Sequence, residues 1–171
     1  MIQQLFFAYF SAAIVLLSIL VITRRNPVHS VMWMLLLFFH LAGLYLFLGA
    51  EFIAAIQVIV YAGAILVLFL FVVLLLNLRE ELKTNRFITS WPVSLIICGG
   101  IFLLIIYSLR DFLLGPIGKY SVEYVRKETN TVALGKILYT EFLLPFEIAS
   151  LVLLVAIIGA IVLAKRREKS H

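Results

Sequence analysis

Five apolar stretches, each about as long as a lipid hydrocarbon core is thick, constrain this chain more than any other feature. A helix rises about 1.5 Å per residue, so roughly 20 apolar residues cross a core of about 30 Å. The stretches cover residues 5–22, 31–48, 52–77, 91–109 and 141–164. Inside lipid every backbone N–H and C=O must find its partner within the protein, so only helices and closed barrels span. Barrel strands are about 10 residues long and alternate polar with apolar. These stretches are about twice that length and do not alternate. The expected class is therefore all-α: an integral membrane bundle of five transmembrane helices in a single domain, 1–171, with an outer loop at 110–140. Of the residues, 64% are hydrophobic and 13% charged, against about 25% charged in soluble domains.

The connections carry the remaining signals. Thr23-Arg24-Arg25-Asn26-Pro27 ends the first stretch, because a proline disfavours the helical region for the residue before it. Pro27 in turn suits the first turn of the next helix, where its missing N–H is not needed. Gly49-Ala50-Glu51 is a very short turn, whereas 77–90 is a polar loop. Nine of the 14 Lys and Arg residues follow the first, third and fifth stretches, and the other five lie in 110–140. Positive-inside reasoning places the N-terminus outside and the C-terminus in the cytoplasm. No positive charge precedes the first stretch, which fits a retained helix rather than a cleaved leader.

The net charge of +5 does not point to nucleic acid. The basic residues sit at stretch ends and in loops, where they anchor helices at headgroups. Cys98 is the one cysteine. It cannot close an internal disulfide or hold an iron–sulfur cluster, which takes four protein ligands as a rule. No phosphate-binding glycine loop, metal-ligand spacing or nucleophile motif is present, so no catalytic residue is assigned.

A few polar groups within or beside the apolar stretches are the candidates for function. His40 lies near the middle of the second stretch; the alternative is a neutral imidazole bonded to a neighbouring helix. Gln57, near the outer end of the third stretch, can hydrogen-bond across a helix interface, and its plain reading is a link between helices. Glu51 sits at the water boundary as a proton entry or a solvated carboxylate. Glu147 follows Pro145 near the start of the fifth stretch, shallow rather than central; its plain reading is an interfacial carboxylate paired with Lys136 or water. Tyr61-Ala62-Gly63-Ala64 supplies small residues for close packing, and Gly63 weakens the helix enough to permit a kink or a π-bulge.

The run Gly49-Ala50-Glu51-Phe52-Ile53-Ala54-Ala55-Ile56-Gln57-Val58-Ile59-Val60-Tyr61-Ala62-Gly63-Ala64-Ile65-Leu66-Val67-Leu68-Phe69-Leu70-Phe71-Val72-Val73-Leu74-Leu75-Leu76-Asn77-Leu78 resembles the signature third helix of the subunit J family of proton-pumping NADH–quinone oxidoreductase, respiratory complex I. Arg25-Asn26-Pro27-Val28-His29-Ser30 resembles the family's first cytoplasmic turn, and Leu143-Leu144-Pro145-Phe146-Glu147-Ile148-Ala149-Ser150-Leu151 its fifth-helix entry. Mitochondrial counterparts are called NADH dehydrogenase subunit 6. The resemblance implies a non-redox membrane subunit that couples quinone reduction to proton pumping. It makes Tyr61, Ala62 and Gly63 a gate that can form a π-bulge, with Glu51, Gln57 and Glu147 as lesser proton-path candidates; His40, which is no hallmark of the family, joins those candidates only as an ionisable group inside a span. It places NADH, FMN, iron–sulfur clusters and quinone elsewhere in the complex. The implied partners are subunits of the H, A, K and N types and the lipid bilayer, in a bacterial plasma (inner) membrane. The alternatives are the equivalent subunit of a related NDH, F420H2 or hydrogenase complex, and a stand-alone small transporter.

Overall fold

The computed structural model describes residues 1–76, 91–112 and 122–165. The polar loop 77–90 and the basic tail after Lys165, which carry much of the charge used for the orientation, lie outside the described residues. Among the described residues the chain is helical, with no strand, and five helices are long and apolar enough to cross a membrane. The chain divides into two compact units, Met1–Ser121 and Val122–His171.

In the first unit α1 (Ile2–Thr23) and α2 (Pro27–Phe47) form an antiparallel pair. Their turn is built as the sequence implies. Asn26 is extended (φ −86°, ψ 119°), Pro27 starts the helix, and the Asn26 side-chain oxygen accepts from the Val28 N–H at 3.0 Å. This cap satisfies one of the free N–H groups that every helix start exposes. Ser30 Oγ donates across to the Val21 carbonyl, tying the two helices at this end. Arg24 stacks its guanidinium over the Trp33 ring, 5.6 Å from the centroid. Hydroxyls inside the apolar helices bond back to their own backbone, Ser18 to the Ile14 carbonyl and Thr23 to that of Ile19. These two hydroxyls are then not left bare toward hydrocarbon.

The far end of α2 closes with a Schellman motif. The Gly49 N–H donates to Leu46 and the Ala50 N–H to Tyr45, with Gly49 at φ +74°. Glycine is needed there because a Cβ would be strained in that left-handed conformation. The chain then re-enters at once as a single span, Glu51–Leu75, made of α3 (Glu51–Ile56), a π-helical stretch (Gln57–Ile65) and α4 (Leu66–Leu75). Helix α2 lies between α1 and this third span and packs on both. Helix α5 (Trp91–Phe112) includes the fourth span, Pro92–Leu109, and none of that span is buried.

The second unit contains α6 (Val122–Glu128), α7 (Asn130–Thr140) and α8 (Leu143–Ala164). Two helices thus lie in a stretch expected as a loop. They are held by local features: Ala133 is buried, Lys136 pairs with Glu128, and Tyr139 meets Phe146 edge-on with ring centroids 5.3 Å apart. Helix α8 is the fifth span and buries none of its residues within its own unit.

Candidate functional site

Among the described residues the third span carries the π-helical winding. In a π-helix each N–H reaches the carbonyl five residues back rather than four, which widens the turn. At the end of the stretch the Leu66 N–H donates to Tyr61 O, whereas at its start the Gln57 N–H donates to Ile53 O in the ordinary way. The effect on packing is visible in which residues are buried. They are Ala54, Gln57, Ala62 and Leu66, so the buried stripe steps by three, then five, then four. The five-residue step falls across the π turn. A regular helix turns about 100° per residue. Regular winding from Gln57 onward would put Tyr61 and Ile65 where Ala62 and Leu66 now pack.

Each side chain of the stretch fits this account. Gln57 is 6% exposed and is the buried polar residue among those described. Ala62, 4% exposed, is small enough to sit in the seam. Tyr61 is 46% exposed and turns its ring edge-on to Phe38 of α2, with centroids 6.0 Å apart and planes at 83°. Gly63 has no side chain, and a Cβ there would lie 3.3 Å from the Val58 carbonyl oxygen, five residues back. That contact is tight, and the oxygen belongs to the helix's own backbone. The π winding and the glycine are therefore mutually adapted.

His40 sits on the opposite side of α2. It is two residues from Phe38, which is about 200° around a helix, and it faces α1 rather than the π stretch. His40 Nδ1 lies 2.8 Å from the Leu36 carbonyl oxygen. A carbonyl can only accept, so Nδ1 carries the proton. Nε2 of the neutral ring is then an acceptor, and Tyr9 Oη of α1 donates to it over a long 3.3 Å. Phe10 closes the cluster, edge-on to both Tyr9 and His40. Nothing in the sequence marks Tyr9 as a partner. The two positions are 31 residues apart, and only the antiparallel register of α1 and α2 joins them.

The carboxylates Glu51 and Glu147 are both exposed. Glu51 is the exposed first residue of α3, where a negative charge complements the helix dipole. It lies six residues before Gln57, about 9 Å along the axis. Glu147 belongs to the second unit and is exposed on α8, with its backbone carbonyl accepting from Ser150 Oγ at 2.7 Å. Lys136, considered as its counter-ion, is engaged by Glu128 instead. That hydrogen bond holds the Glu128 carboxyl below its ordinary value of 4.5 and raises the Lys136 ammonium above 10.5. No group of three or more His, Cys, Asp or Glu gathers among the described residues, so they form no obvious metal cradle.

Comparison with known proteins agrees with this architecture. Residues 17–163 match the family model of NADH-ubiquinone/plastoquinone oxidoreductase chain 6. The NADH-quinone oxidoreductase subunit J of Rickettsia felis is 37% identical over 96% of this chain and 82% of its own length. That of Rhodobacter capsulatus is 39% identical over 95% and 81%, respectively. The NADH-ubiquinone oxidoreductase chain 6 of Cyanidium caldarium is 42% identical over 95% and 84%. A multi-pass helical membrane protein with this match along most of its length belongs to the NADH-ubiquinone/plastoquinone oxidoreductase chain 6 family, whose bacterial members are the J subunits of NADH-quinone oxidoreductase.

Proposed function

We propose that this chain is a non-redox subunit of a proton-translocating NADH–quinone oxidoreductase, and that its third span couples quinone reduction to proton movement by changing its winding. The observation that carries the reading is the five-residue step in the buried stripe at Gln57–Ala62. Removing the extra residue from that turn would rotate everything beyond it by about 100°. The seam against α2 would then exchange Ala62 and Leu66 for Tyr61 and Ile65. A small residue gives way to a phenol, and the hydration of the seam changes with it. The winding change is itself moderate in free energy, because π turns keep most of their backbone hydrogen bonds.

In this reading Tyr61, Ala62 and Gly63 are the gate, and Gln57 is the polar residue that water or a neighbouring group meets when the gate turns. Glu51 lies on the water side of the same span, and Glu147 faces a partner subunit. The extensive exposed apolar surface of α5 and α8 is covered by lipid and by other membrane subunits of the complex, of the H, A, K and N types. NADH, FMN, iron–sulfur clusters and quinone are held by those other subunits. The membrane is the bacterial plasma membrane, with the N-terminus outside and the C-terminus in the cytoplasm.

The test is Gly63→Leu in the assembled complex in native membranes, with quinone reduction and proton pumping measured together. The expected result is retained reduction with a lowered yield of protons per electron. Full coupling in a correctly assembled variant would remove the gate from this stretch.

A further inference from the structure

A groove of about 360 Å³ runs along α2, lined by Met32, Trp33, Leu35, Leu36 and Phe39. Met32, Leu36 and Phe39 are exposed and recur every three or four residues, so they form one stripe of the helix. Phe39 is about 100° around the helix both from Phe38, which meets the third span, and from His40, which meets α1. The stripe therefore lies between the two packed sides of α2. From Met32 to Phe39 it covers about 10 Å along the axis, well inside one leaflet of a core about 30 Å thick. The shallow end of the groove is basic. The Arg24 guanidinium lies over the Trp33 ring, 5.6 Å from its centroid. Stacking uses the face of a guanidinium, and its five N–H donors lie in the plane, more than one partner takes up. Arg25 is exposed in the same turn. Residues 1–50 hold these two arginines and no Asp or Glu.

We infer that this groove seats one acyl chain of an anionic phospholipid, whose phosphate is held at the Arg24 end. Trp33 stands two residues inside the apolar stretch that begins at 31, the depth at which tryptophan and arginine meet headgroups. A phosphate at that level accepts from guanidinium N–H groups, and the adjoining chain runs down the groove over Met32, Leu36 and Phe39. Two features favour a lipid over a helix of another subunit. A spanning helix packs along the whole depth of its neighbour, whereas this groove ends within one leaflet. Helix seams in membranes also favour small residues that let backbones approach, whereas this lining is made of large side chains. Met32 and the leucines suit a flexible chain, because methionine adapts its shape to irregular contacts. The inference needs only that the span crosses lipid, and it is independent of the gate.

The experiment places the whole complex in phosphatidylcholine vesicles with a trace of phosphatidylglycerol whose acyl chain carries a photoreactive group. Parallel vesicles carry phosphatidylcholine with the same reactive chain. Labelled residues are located by peptide mass. Phosphatidylglycerol is expected to label Met32–Phe39 about fivefold more than phosphatidylcholine does, the effect of one arginine near a membrane surface. Arg24→Gln removes that excess and leaves labelling elsewhere on the complex unchanged. Leu36→Trp, which fills the groove without touching the charge, lowers labelling by both lipids; it serves as the second variant if Arg24→Gln does not assemble. Equal labelling by the two lipids overturns the inference, because the groove then holds ordinary solvating lipid. Absence of label at Met32–Phe39 while other spans are labelled overturns it too, because another subunit covers the groove. So does loss of the excess on adding millimolar inorganic phosphate, which marks a site for the free anion. An excess that persists in assembled Arg24→Gln, or full labelling in Leu36→Trp, also refutes it.

Discussion

Gly43 is the position where one methyl group should be felt across two helices. A Cβ built there lies 2.7 Å from Cε1 and 3.0 Å from Cζ of Phe10. Carbon atoms in good contact are about 3.5–4.0 Å apart, so the ring of Phe10 must retreat by close to 1 Å. It has little room to do so, being packed edge-on to Tyr9 at 5.3 Å and to His40 at 6.4 Å between ring centroids. Overpacking of this kind costs about 1–3 kcal/mol. Alanine in place of glycine in a helix returns up to about 1 kcal/mol. The net expectation for Gly43→Ala is a destabilisation of about 1 kcal/mol in the α1–α2 pair. The decisive arm is a double-mutant cycle with Phe10→Leu, which removes the ring atoms that the new methyl meets. In the Phe10→Leu background the methyl should cost nothing or stabilise slightly. The assay is the fraction of assembled complex that survives a graded detergent challenge of native membranes. An equal loss from Gly43→Ala with and without the Phe10 ring would refute the steric argument.

Two further predictions concern the second unit. Thr129 stands before α7 at φ +68° and ψ 150°, a region that suits glycine, and its side chain makes no capping hydrogen bond. Thr129→Gly should therefore relieve backbone strain of about 1 kcal/mol, seen as slower amide exchange in α7 of the assembled complex; unchanged or faster exchange would count against it. The Glu128–Lys136 pair should support the α6–α7 contact in a defined pH window. Glu128 is shifted below 4.5, so its contribution is present above that value and is lost as pH falls through the lowered one. Lys136 is shifted above 10.5, so its contribution holds below that value and is lost as pH rises through the raised one. Both groups are solvent-exposed, so the effect is small and weakens with salt. Amide exchange in α6 and α7, corrected for its intrinsic pH dependence, should be slowest inside the window, and Lys136→Met should remove the difference.

The site was partly legible in the sequence, and the boundary between what could and could not be read has a physical origin. Tyr61-Ala62-Gly63 could be singled out because small residues beside an aromatic one are a local property. Asn26-Pro27 and Gly49 could be read as turn signals for the same reason: cap and φ preferences belong to single residues. Tyr9 could not be found, since its significance comes from a partner in another helix. Lys136 was a reasonable companion for Glu147 by sequence distance, but a closer carboxylate on α6 engages it. The helices at Val122–Glu128 and Asn130–Thr140 were hidden by a mixed composition with no long apolar run.

By itself the sequence determined that the chain crosses a membrane as five helices, because span length and backbone pairing in lipid leave no other solution for these apolar runs. It also carried the family, in residues that stand close together along the chain. Tertiary structure alone decided which face of the first three spans is buried. Spans that are apolar all round have no polar side to reveal their orientation, so the choice falls to close packing between neighbours. That choice sets the buried stripe Ala54, Gln57, Ala62 and Leu66, with its five-residue step, and brings Tyr9 to His40.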